Sequence, residues 1–306
     1  MNDQIAGAAI EIRGLTKTFG SVRAVDDLSF TVAPRTVTGF LGPNGAGKTT
    51  TLRMLLGLVS ADTGTATIGG RPYAELARPN DVVGAALEAS GFHPARSGRH
   101  HLAIYCRVNG YPLNRADEVL ATVGLTSAAS RSVGGYSLGM RQRLALAAAL
   151  LGDPTVLVLD EPANGLDPEG IVWMRSLLRK LAGEGRTVLV SSHVLTEVQQ
   201  LVDHVVIINH GRLVQQGPLS DLFAQQASVL VRTPHAERLA TALTSATGGQ
   251  IERTSPDTLH VAGMDIAAVG HIAYAERVEL HELTTQHSDL EEVFFSLTAA
   301  ERPSTR

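Results

Sequence analysis

The sequence contains a single cysteine, Cys106, among its 306 residues, and only 4% of its side chains are aromatic. One cysteine cannot form an internal disulfide, which fits a reducing compartment and removes disulfides as a source of stability. No apolar run approaches the roughly 18 residues that a membrane-spanning helix needs, and no charged-then-apolar leader opens the sequence. We therefore expect any membrane role to go through a partner.

The sequence also has no large excess of positive or negative charge. Charged residues make up 18% of the sequence and sum to a formal net charge of −4. A near-neutral balance gives no sign of a broad basic face, so we predict no nucleic-acid partner. The hydrophobic content of 44% instead favours a folded protein, with about two domains expected for this length.

One glycine-rich segment carries the most specific signal. Residues 42–50 fit the phosphate-binding loop G-x-x-x-x-G-K-[ST]. In such a loop backbone N–H groups turn towards phosphate oxygens, Lys48 adds a positive charge, and the Thr49 hydroxyl can ligate Mg²⁺. We therefore predict a nucleoside triphosphate site. Its predicted phosphate-binding residues are Gly42, Pro43, Asn44, Gly45, Ala46, Gly47, Lys48, Thr49 and Thr50.

Strand and helix patterns surround this loop. Residues 37–41 have the pattern of a buried strand, and an apolar stripe predicts a helix from about Lys48 to Val59. Further strand patterns at residues 155–159, 187–191 and 204–208 alternate with helical stretches. This alternation indicates an α/β fold with a parallel sheet buried on both faces.

Two carboxylates follow one of the buried strands. Residues 156–159 lead directly into Asp160 and Glu161, at the edge of a parallel sheet where ligands bind. Asp160 suits the carboxylate that holds Mg²⁺ in phosphate-loop enzymes, and Glu161 could deprotonate an attacking water. The alternative is a strand that simply runs into a polar Asp-Glu-Pro turn.

Past Pro218 the pattern changes to β-α-β-β-α-β, which predicts a small α+β domain of the ferredoxin-like kind. The predicted strands are residues 229–231, the neighbourhoods of Ile251 and Leu259, and residues 278–283, and the predicted helices cover about 236–246 and 266–276. Histidines in this region lack the spacing of a compact metal site, so we favour solvated side chains. They are His260, His271, His281 and His287.

Five ordered motifs resemble those of the ATP-binding subunit of ABC transporters. They are the loop at residues 42–49, Tyr136–Met140, Asp160–Pro162, Gly165–Asp167 and Ser191–His193. The resemblance covers about residues 10–222. It implies a P-loop ABC-type ATPase domain at residues 8–222, with a helical subdomain at about 89–152, and a small accessory domain at 223–306. The tail at residues 289–294 resembles that of daunorubicin-resistance-type drug and antibiotic exporters.

The resemblance implies a role for each motif, with ATP and Mg²⁺ as cofactors. Phe19 would stack under adenine, although a core phenylalanine is the ordinary alternative. The implied catalytic residues are Lys48, Glu161 and His193, and the implied Mg²⁺ ligands are Thr49, Asp160 and Glu88. In a head-to-tail pair of subunits, the partner's nucleotide would be met by Ser137, Gly139 and Met140. A simple helix cap for Ser137 and a structural role for His193 are the alternatives.

The implied protein is an ATPase subunit on the cytoplasmic face of the membrane, which pairs with a second copy and drives a separate polytopic permease. Drug or antibiotic export is the favoured use. A permease-independent ATPase is one alternative function, although such proteins usually carry two ATPase units or a long coiled coil. A non-hydrolytic ATP-binding regulator is another alternative, because the sequence departs from the family. Leu, Gly, Gln and Gln of the family are replaced by Tyr136, Leu138, Met140 and Glu88.

The assignment of Glu88 as a Mg²⁺ ligand predicts how the affinity for ATP changes with the Mg²⁺ concentration. If Glu88 ligates Mg²⁺, its charge strengthens metal binding but repels the γ-phosphate whenever the cation is absent. Glu88→Gln should therefore bind ATP more tightly than the natural protein at limiting Mg²⁺, whereas at saturating Mg²⁺ the two should converge or the natural protein should lead. Parallel ATP titrations at low and high Mg²⁺ measure the difference. Identical curves would make Glu88 a solvated surface residue.

Overall fold

The computed structural model describes residues 8–87, 91–194, 199–226, 228–247 and 251–286. The chain divides into two compact units, residues 1–217 and residues 218–306. Each unit has a hydrophobic core of its own. Glu88, His287 and the tail pattern at residues 289–294 lie outside the described residues.

The first unit combines two sheets with helices. Its strands are β1 Ile10–Phe19, β2 Val22–Val32, β3 Val37–Leu41, β4 Thr63–Ile68, β5 Val83–Ala86, β6 Val156–Asp160, β7 Thr187–Ser192, β8 His204–Asn209 and β9 Arg212–Pro218, which ends at the boundary. Its helices include α1 Lys48–Leu55, α2 Pro79–Val82, α3 Gly98–Asn109, α4 Asn114–Thr122, α5 Leu138–Ala149 and α6 Pro168–Gly183.

The larger sheet has six strands in the order β5-β6-β7-β3-β8-β9. The pairings from β5 across to β8 are parallel. Every residue of β3, β6 and β7 is buried, which explains their continuous apolar sequence. Since parallel strands end at the same edge, the loop after β3 and the carboxylates that end β6 come to one edge of the sheet, with β7 between them.

A smaller antiparallel sheet has the order β2-β1-β4. Its hairpin turns between Phe19 and Val22, at Gly20 and Ser21. The hairpin contacts the phosphate loop through the β8–β9 turn, since Asp26 N–H donates to the Gly211 carbonyl and Gly211 N–H donates to the Ala46 carbonyl, both at 3.0 Å. The phosphate loop is therefore fixed from the side of the hairpin as well as by its own strand and helix.

The helices α3, α4 and α5 pack on one another and form the helical part of the first unit. Their shared interior is apolar and includes Leu102, Cys106, Leu120 and Leu144. Burial raises the pKa of the Cys106 thiol, so the only cysteine behaves as a core side chain rather than as a nucleophile.

The second unit contains α7 Leu219–Gln226, β10 Ser228–Arg232, α8 Ala236–Thr247, β11 Ile251–Ser255, β12 Thr258–Ala262, α9 Ile266–Ala275 and β13 Glu282–Gln286. Its sheet has the order β11-β12-β10-β13 with antiparallel pairings. This order, together with the β-α-β-β-α-β sequence from β10 to β13, is the ferredoxin-like arrangement. Apolar residues at alternate strand positions, Val229, Val231, Leu259 and Val261, share one core with residues of α8 and α9 such as Leu239 and Val269.

Two predicted boundaries were wrong. The helix predicted to reach Val59 ends at Leu55, because Gly57 adopts a positive φ of 68° and the Leu58 N–H closes on the Arg53 carbonyl at 2.8 Å. The strand predicted for residues 278–283 begins only at Glu282. Val278 is buried in the turn after α9, so its apolar character reflects core packing and not strand alternation.

Within the described ranges, no helix is both long and apolar enough to cross a membrane.

The separate cores lead to a prediction about truncation. A chain that ends at Gly217 keeps the first core and the full phosphate loop, so it should fold and bind nucleotide within about threefold of the full chain's affinity. Soluble yield, circular dichroism and a nucleotide titration measure this. A chain that ends at Asp203 is the control. It lacks β8, which pairs with β3, and it should fail to fold. Insoluble or nucleotide-blind 1–217 chain would contradict the independence of the first unit.

Candidate nucleotide-binding site

The phosphate loop is a tight turn between β3 and α1. Gly45 and Gly47 have φ values of 82° and 103°, which L side chains rarely adopt. Gly47 is the residue before α1, and a Cβ there would lie 3.3 Å from the Val25 side chain. The glycines therefore let the loop close against β2 and lead directly into the N-terminus of α1, an arrangement suited to phosphate.

Lys48 lies inside this loop. Its Nζ donates to the carbonyls of Gly42 at 2.6 Å and Pro43 at 3.2 Å, and it lies 3.9 Å from Glu161 Oε1. Burial lowers the pKa of Lys48, although the nearby Glu161 and Asp160 carboxylates act to raise it. The Lys48 ammonium group is buried between backbone carbonyls, and its surroundings balance its positive charge only in part. A phosphate anion would supply the remaining negative charge.

Asp160 connects three elements. Its Oδ2 accepts a hydrogen bond of 2.8 Å from Thr49 Oγ1 at the start of α1, and its Oδ1 accepts one from Ser191 Oγ at the end of β7. The strand register places Asp160 beside Ser191. The predicted metal-binding pair, Thr49 and Asp160, is therefore in direct contact.

Glu161 leaves the strand in a left-handed conformation with φ of 50°. Its N–H bonds to Ser191, whose Oγ lies at 3.0 Å and whose carbonyl oxygen lies at 3.2 Å. The side chain turns to His193, and Glu161 Oε2 lies 2.8 Å from His193 Nδ1. The two residues that the resemblance implied as catalytic partners are thus hydrogen-bonded to each other.

Lys48, Glu161 and His193 share one cavity of about 490 Å³. Asp160 is not among its lining residues and contacts it through the Thr49 hydroxyl. It brings together the loop, Glu161 and His193, and its lining residues are Ala24, Asn44, Gly45, Ala46, Gly47, Lys48, Thr49, Thr50, Glu161, Asn164 and His193. Phe19 lies outside this lining. It is 49% exposed at the hairpin tip, with Lys17 Nζ 5.4 Å from its ring centre, so the alternative of a core phenylalanine does not apply.

The predicted signature residues lie in a second cavity, of about 610 Å³. Ser137, Gly139 and Met140 line it together with the turn at residues 165–167. Ser137 caps α5 by accepting a hydrogen bond of 3.2 Å from Met140 N–H, so the capping alternative holds while its neighbours still face the cavity. One chain therefore carries the phosphate loop and the signature residues in two different cavities.

The residues that depart from the family signature make specific contacts. Tyr136 is buried and its hydroxyl donates to the Ala128 carbonyl at 2.7 Å. Arg131 lies over the Tyr136 ring, 5.3 Å from its centre, and Nη2 lies 2.9 Å from Met140 Sδ. Leu138 packs on Gly165. The departures are therefore accommodated by neighbouring residues and do not leave the motif unpacked.

Sequence analysis assigned no role to three polar residues at the site. Ser191 links Asp160 to Glu161, Asn164 lines the first cavity, and Gln142 Nε2 donates to the carbonyls of Asn164 at 3.3 Å and Glu161 at 3.5 Å. Ser191 was detectable, because a serine at the end of an otherwise apolar buried strand needs a polar partner. The contacts of Gln142 had no sequence signal, since they depend on how α5 packs.

Comparison with known proteins agrees with this geometry. The family model described as ABC transporter matches residues 25–164, and a domain of unknown function, DUF8746, matches residues 227–291. The chain is 45% identical to the bacitracin transport ATP-binding protein BcrA of Bacillus licheniformis, over 70% of this chain and 71% of the relative. It is 36% identical to the daunorubicin/doxorubicin resistance ATP-binding protein DrrA of Streptomyces peucetius, over 95% and 92% of the two chains.

The chain belongs to the ATP-binding proteins of ABC transporters. As a member of this family it is the ATP-binding and ATP-hydrolysing subunit of such a transporter. Solved structures agree in fold. A structure of an ATP-binding subunit of an ABC transporter matches 71% of this chain and 92% of its own, at 25% identity and a TM-score of 0.63. An ATP-binding cassette described as a dimer bound to ADP and Pi matches with a TM-score of 0.62 and 21% identity, over 69% and 98% of the two chains.

The position of Lys48 predicts a loss of affinity in this ATP-binding protein. Lys48→Ala removes the buried cation of the phosphate loop and should weaken ATP binding by roughly ten- to a hundredfold, the scale of a lost hydrogen bond to a charged group. The control is Lys180→Ala, since the Lys180 side chain is 73% exposed on α6, and it should bind like the natural protein. A nucleotide titration at fixed Mg²⁺ measures both variants. Unchanged affinity for Lys48→Ala would contradict the phosphate-binding role of this loop.

Proposed function

We propose that two copies of this chain pair head to tail and enclose two Mg²⁺·ATP between them, and that closure of the pair drives a polytopic permease which exports drugs or antibiotics. The observation that carries the proposal is the separation of the phosphate loop and the signature residues into two cavities of one chain. In a two-fold symmetric pair, each phosphate-loop cavity can face the signature cavity of the other copy.

Thr49, which lines the first cavity, and its partner Asp160 fit Mg²⁺. Thr49 and Asp160 supply oxygen donors in direct contact, and oxygen is the donor type that Mg²⁺ requires. Among the described residues, no three His, Cys, Asp or Glu side chains form a group that could hold a metal by themselves. This fits a cation that takes its other ligands from phosphates and water. When bound, Mg²⁺ would neutralise charge that develops on the phosphate oxygens.

Glu161 is the proposed general base. Its carboxylate accepts a proton from the attacking water, the water oxygen bonds to the γ-phosphorus, and the bond from that phosphorus to the bridging oxygen breaks to leave ADP. His193 holds the Glu161 carboxylate through its 2.8 Å contact, and it is proposed to contact the γ-phosphate. Lys48 is proposed to hold the phosphates, and Phe19 to stack on adenine from the hairpin tip.

Ser137, Gly139 and Met140 are proposed to meet the γ-phosphate region of the partner's nucleotide. They surround the start of α5, where exposed N–H groups and the helix dipole favour an anion. Without the second copy the signature cavity has no phosphate loop opposite it, and the phosphate-loop cavity stays open to water. The proposal therefore explains why neither cavity alone contains a complete site.

The permease and its cargo are proposed from the relatives. BcrA is described as a bacitracin transport protein, and DrrA is described as a daunorubicin and doxorubicin resistance protein. A relative from Paraburkholderia xenovorans, 37% identical over 96% of this chain and 98% of its own, is described as a Nod factor export protein.

The proposed permease contact is the start of the helical region. There Phe92 stacks edge-on against His101 at 4.8 Å, and His101 lies 5.0 Å from the half-exposed Tyr105. Such contact would hold the subunit at the cytoplasmic face of the membrane.

Replacement of the proposed general base tests the pairing and the chemistry together. Glu161→Gln should bind ATP normally, slow hydrolysis by roughly a hundredfold or more, and accumulate as an ATP-dependent dimer, because the amide cannot accept the proton of water. ATP titration, phosphate release and sedimentation velocity measure the three effects. Glu184→Gln is the matched control, since Glu184 is exposed at the far end of α6. Near-normal turnover, or a monomer at saturating Mg²⁺·ATP, would contradict the proposal.

A further inference from the structure

The segment from Glu161 to Asp167 runs from one cavity to the other. Glu161 and Asn164 line the phosphate-loop cavity, whereas Gly165, Leu166 and Asp167 line the signature cavity. A displacement of Gly165 is therefore expected to displace Glu161 as well. A side chain that fixes the position of Gly165 also influences where the Glu161 carboxylate lies.

Two side chains of α5 hold this segment. Gln142 donates to the backbone carbonyls of Glu161 and Asn164. Leu138, the first residue of α5, covers Gly165 so closely that a Cβ at Gly165 would lie 2.7 Å from Leu138 Cγ. Gly165 also has a positive φ of 76°, so glycine suits this position both for its backbone and for the close approach of Leu138.

Leu138 is not explained by burial in the core. The residue is 46% exposed, and its side chain lies across a glycine turn on the surface of the signature cavity. The glycine that the family usually has at this position would have no side chain with which to make the contact. Leu138 therefore adds a connection between the signature helix and the segment that carries Glu161.

We propose that Leu138 is a positioning residue for ATP hydrolysis. By packing on Gly165 it ties the start of α5 to the segment from Glu161 to Asp167, so that engagement of the signature cavity by the partner's nucleotide also places the Glu161 carboxylate in its own site. This inference rests on the proposed pairing. It differs from a structural role for Leu138, because it requires an effect on the rate of hydrolysis that leaves ATP affinity unchanged.

A double-mutant cycle in the full chain tests the contact. Leu138→Gly removes the covering side chain, and Gly165→Ala displaces it. Each should lower kcat by roughly tenfold, since a small misplacement of a catalytic group has effects of this order or larger. Because both changes break the same contact, the double variant should lose little more than either single variant. Phosphate release at saturating Mg²⁺·ATP gives kcat, and a nucleotide titration should give ATP affinities within about twofold of the natural protein.

Two further variants serve as controls. Leu138→Met keeps an apolar side chain of similar reach and should retain most of the natural kcat. Gly110→Ala introduces the same strain at a φ of 73°, but a Cβ there has no atom within 4 Å, so its kcat should equal that of the natural protein. A loss in Gly110→Ala as large as that in Gly165→Ala would attribute the effect to backbone strain and overturn the inference.

The remaining outcomes separate this inference from the proposed function. A natural kcat in Leu138→Gly, or fully additive losses in the double variant, would overturn the positioning role and leave the proposed function in place. A natural protein that binds Mg²⁺·ATP without hydrolysing it, or whose Glu161→Gln variant does not pair, would contradict the proposed function itself.

Discussion

Asp160 is the carboxylate on which the geometry of the nucleotide site depends. It is buried at the end of β6, and an ionised carboxylate in such a place is costly unless hydrogen bonds compensate for the lost water. Thr49 and Ser191 supply those bonds from α1 and β7. The same carboxylate acts with Glu161 to raise the pKa of Lys48 against the opposing effect of burial. Compensation of one buried charge thus fixes the phosphate loop, the middle strand and the lysine relative to one another.

The strand order explains why this arrangement is possible. Because β7 lies between β3 and β6, one strand separates the phosphate loop from the carboxylates at the sheet edge. Ser191, at the end of that strand, contacts Asp160 and Glu161. Ser191 Oγ accepts from the Glu161 N–H while it donates to Asp160. One hydroxyl therefore stabilises the left-handed turn that sends the Asp160 and Glu161 side chains in different directions, one towards α1 and the other towards His193.

The relation between the two cavities is the second constraint. The signature residues begin α5, and the phosphate loop begins α1, so both cavities present helix N-termini that favour anions. In the proposed pair, each of the two cavities would face the other cavity of the second copy. The segment from Glu161 to Asp167, held by Gln142 and Leu138, is the part of the described structure that borders both. In the proposed pair, a shift along this short segment would be enough to couple the two sites.

Much of the fold was predictable from the sequence. The phosphate loop has a fixed spacing of glycines and Lys48, and the buried strands are marked by continuous apolar runs, so the sequence alone places both. The end of α1 and the start of β13 could not, because a left-handed turn at Gly57 and the burial of Val278 depend on packing. The contact of Glu161 with His193 was implied by resemblance, whereas its link to Ser191 came only from the parallel register.

The amino-acid sequence by itself determined which residues are predicted to carry the nucleotide chemistry and in what order they occur, because the motifs are local and each has a physical requirement for its own residue types. It also determined that an α+β unit follows, through the order of its short elements. Only the tertiary structure decided which side chains meet. Contacts between residues distant in the chain produce the packing of Leu138 on Gly165 and the division of the motifs between two cavities. The exposure of Phe19 follows from its position at the tip of the β1–β2 hairpin. Such contacts leave no periodic pattern in a single sequence, since the approach of two elements depends on the shape of everything packed between them.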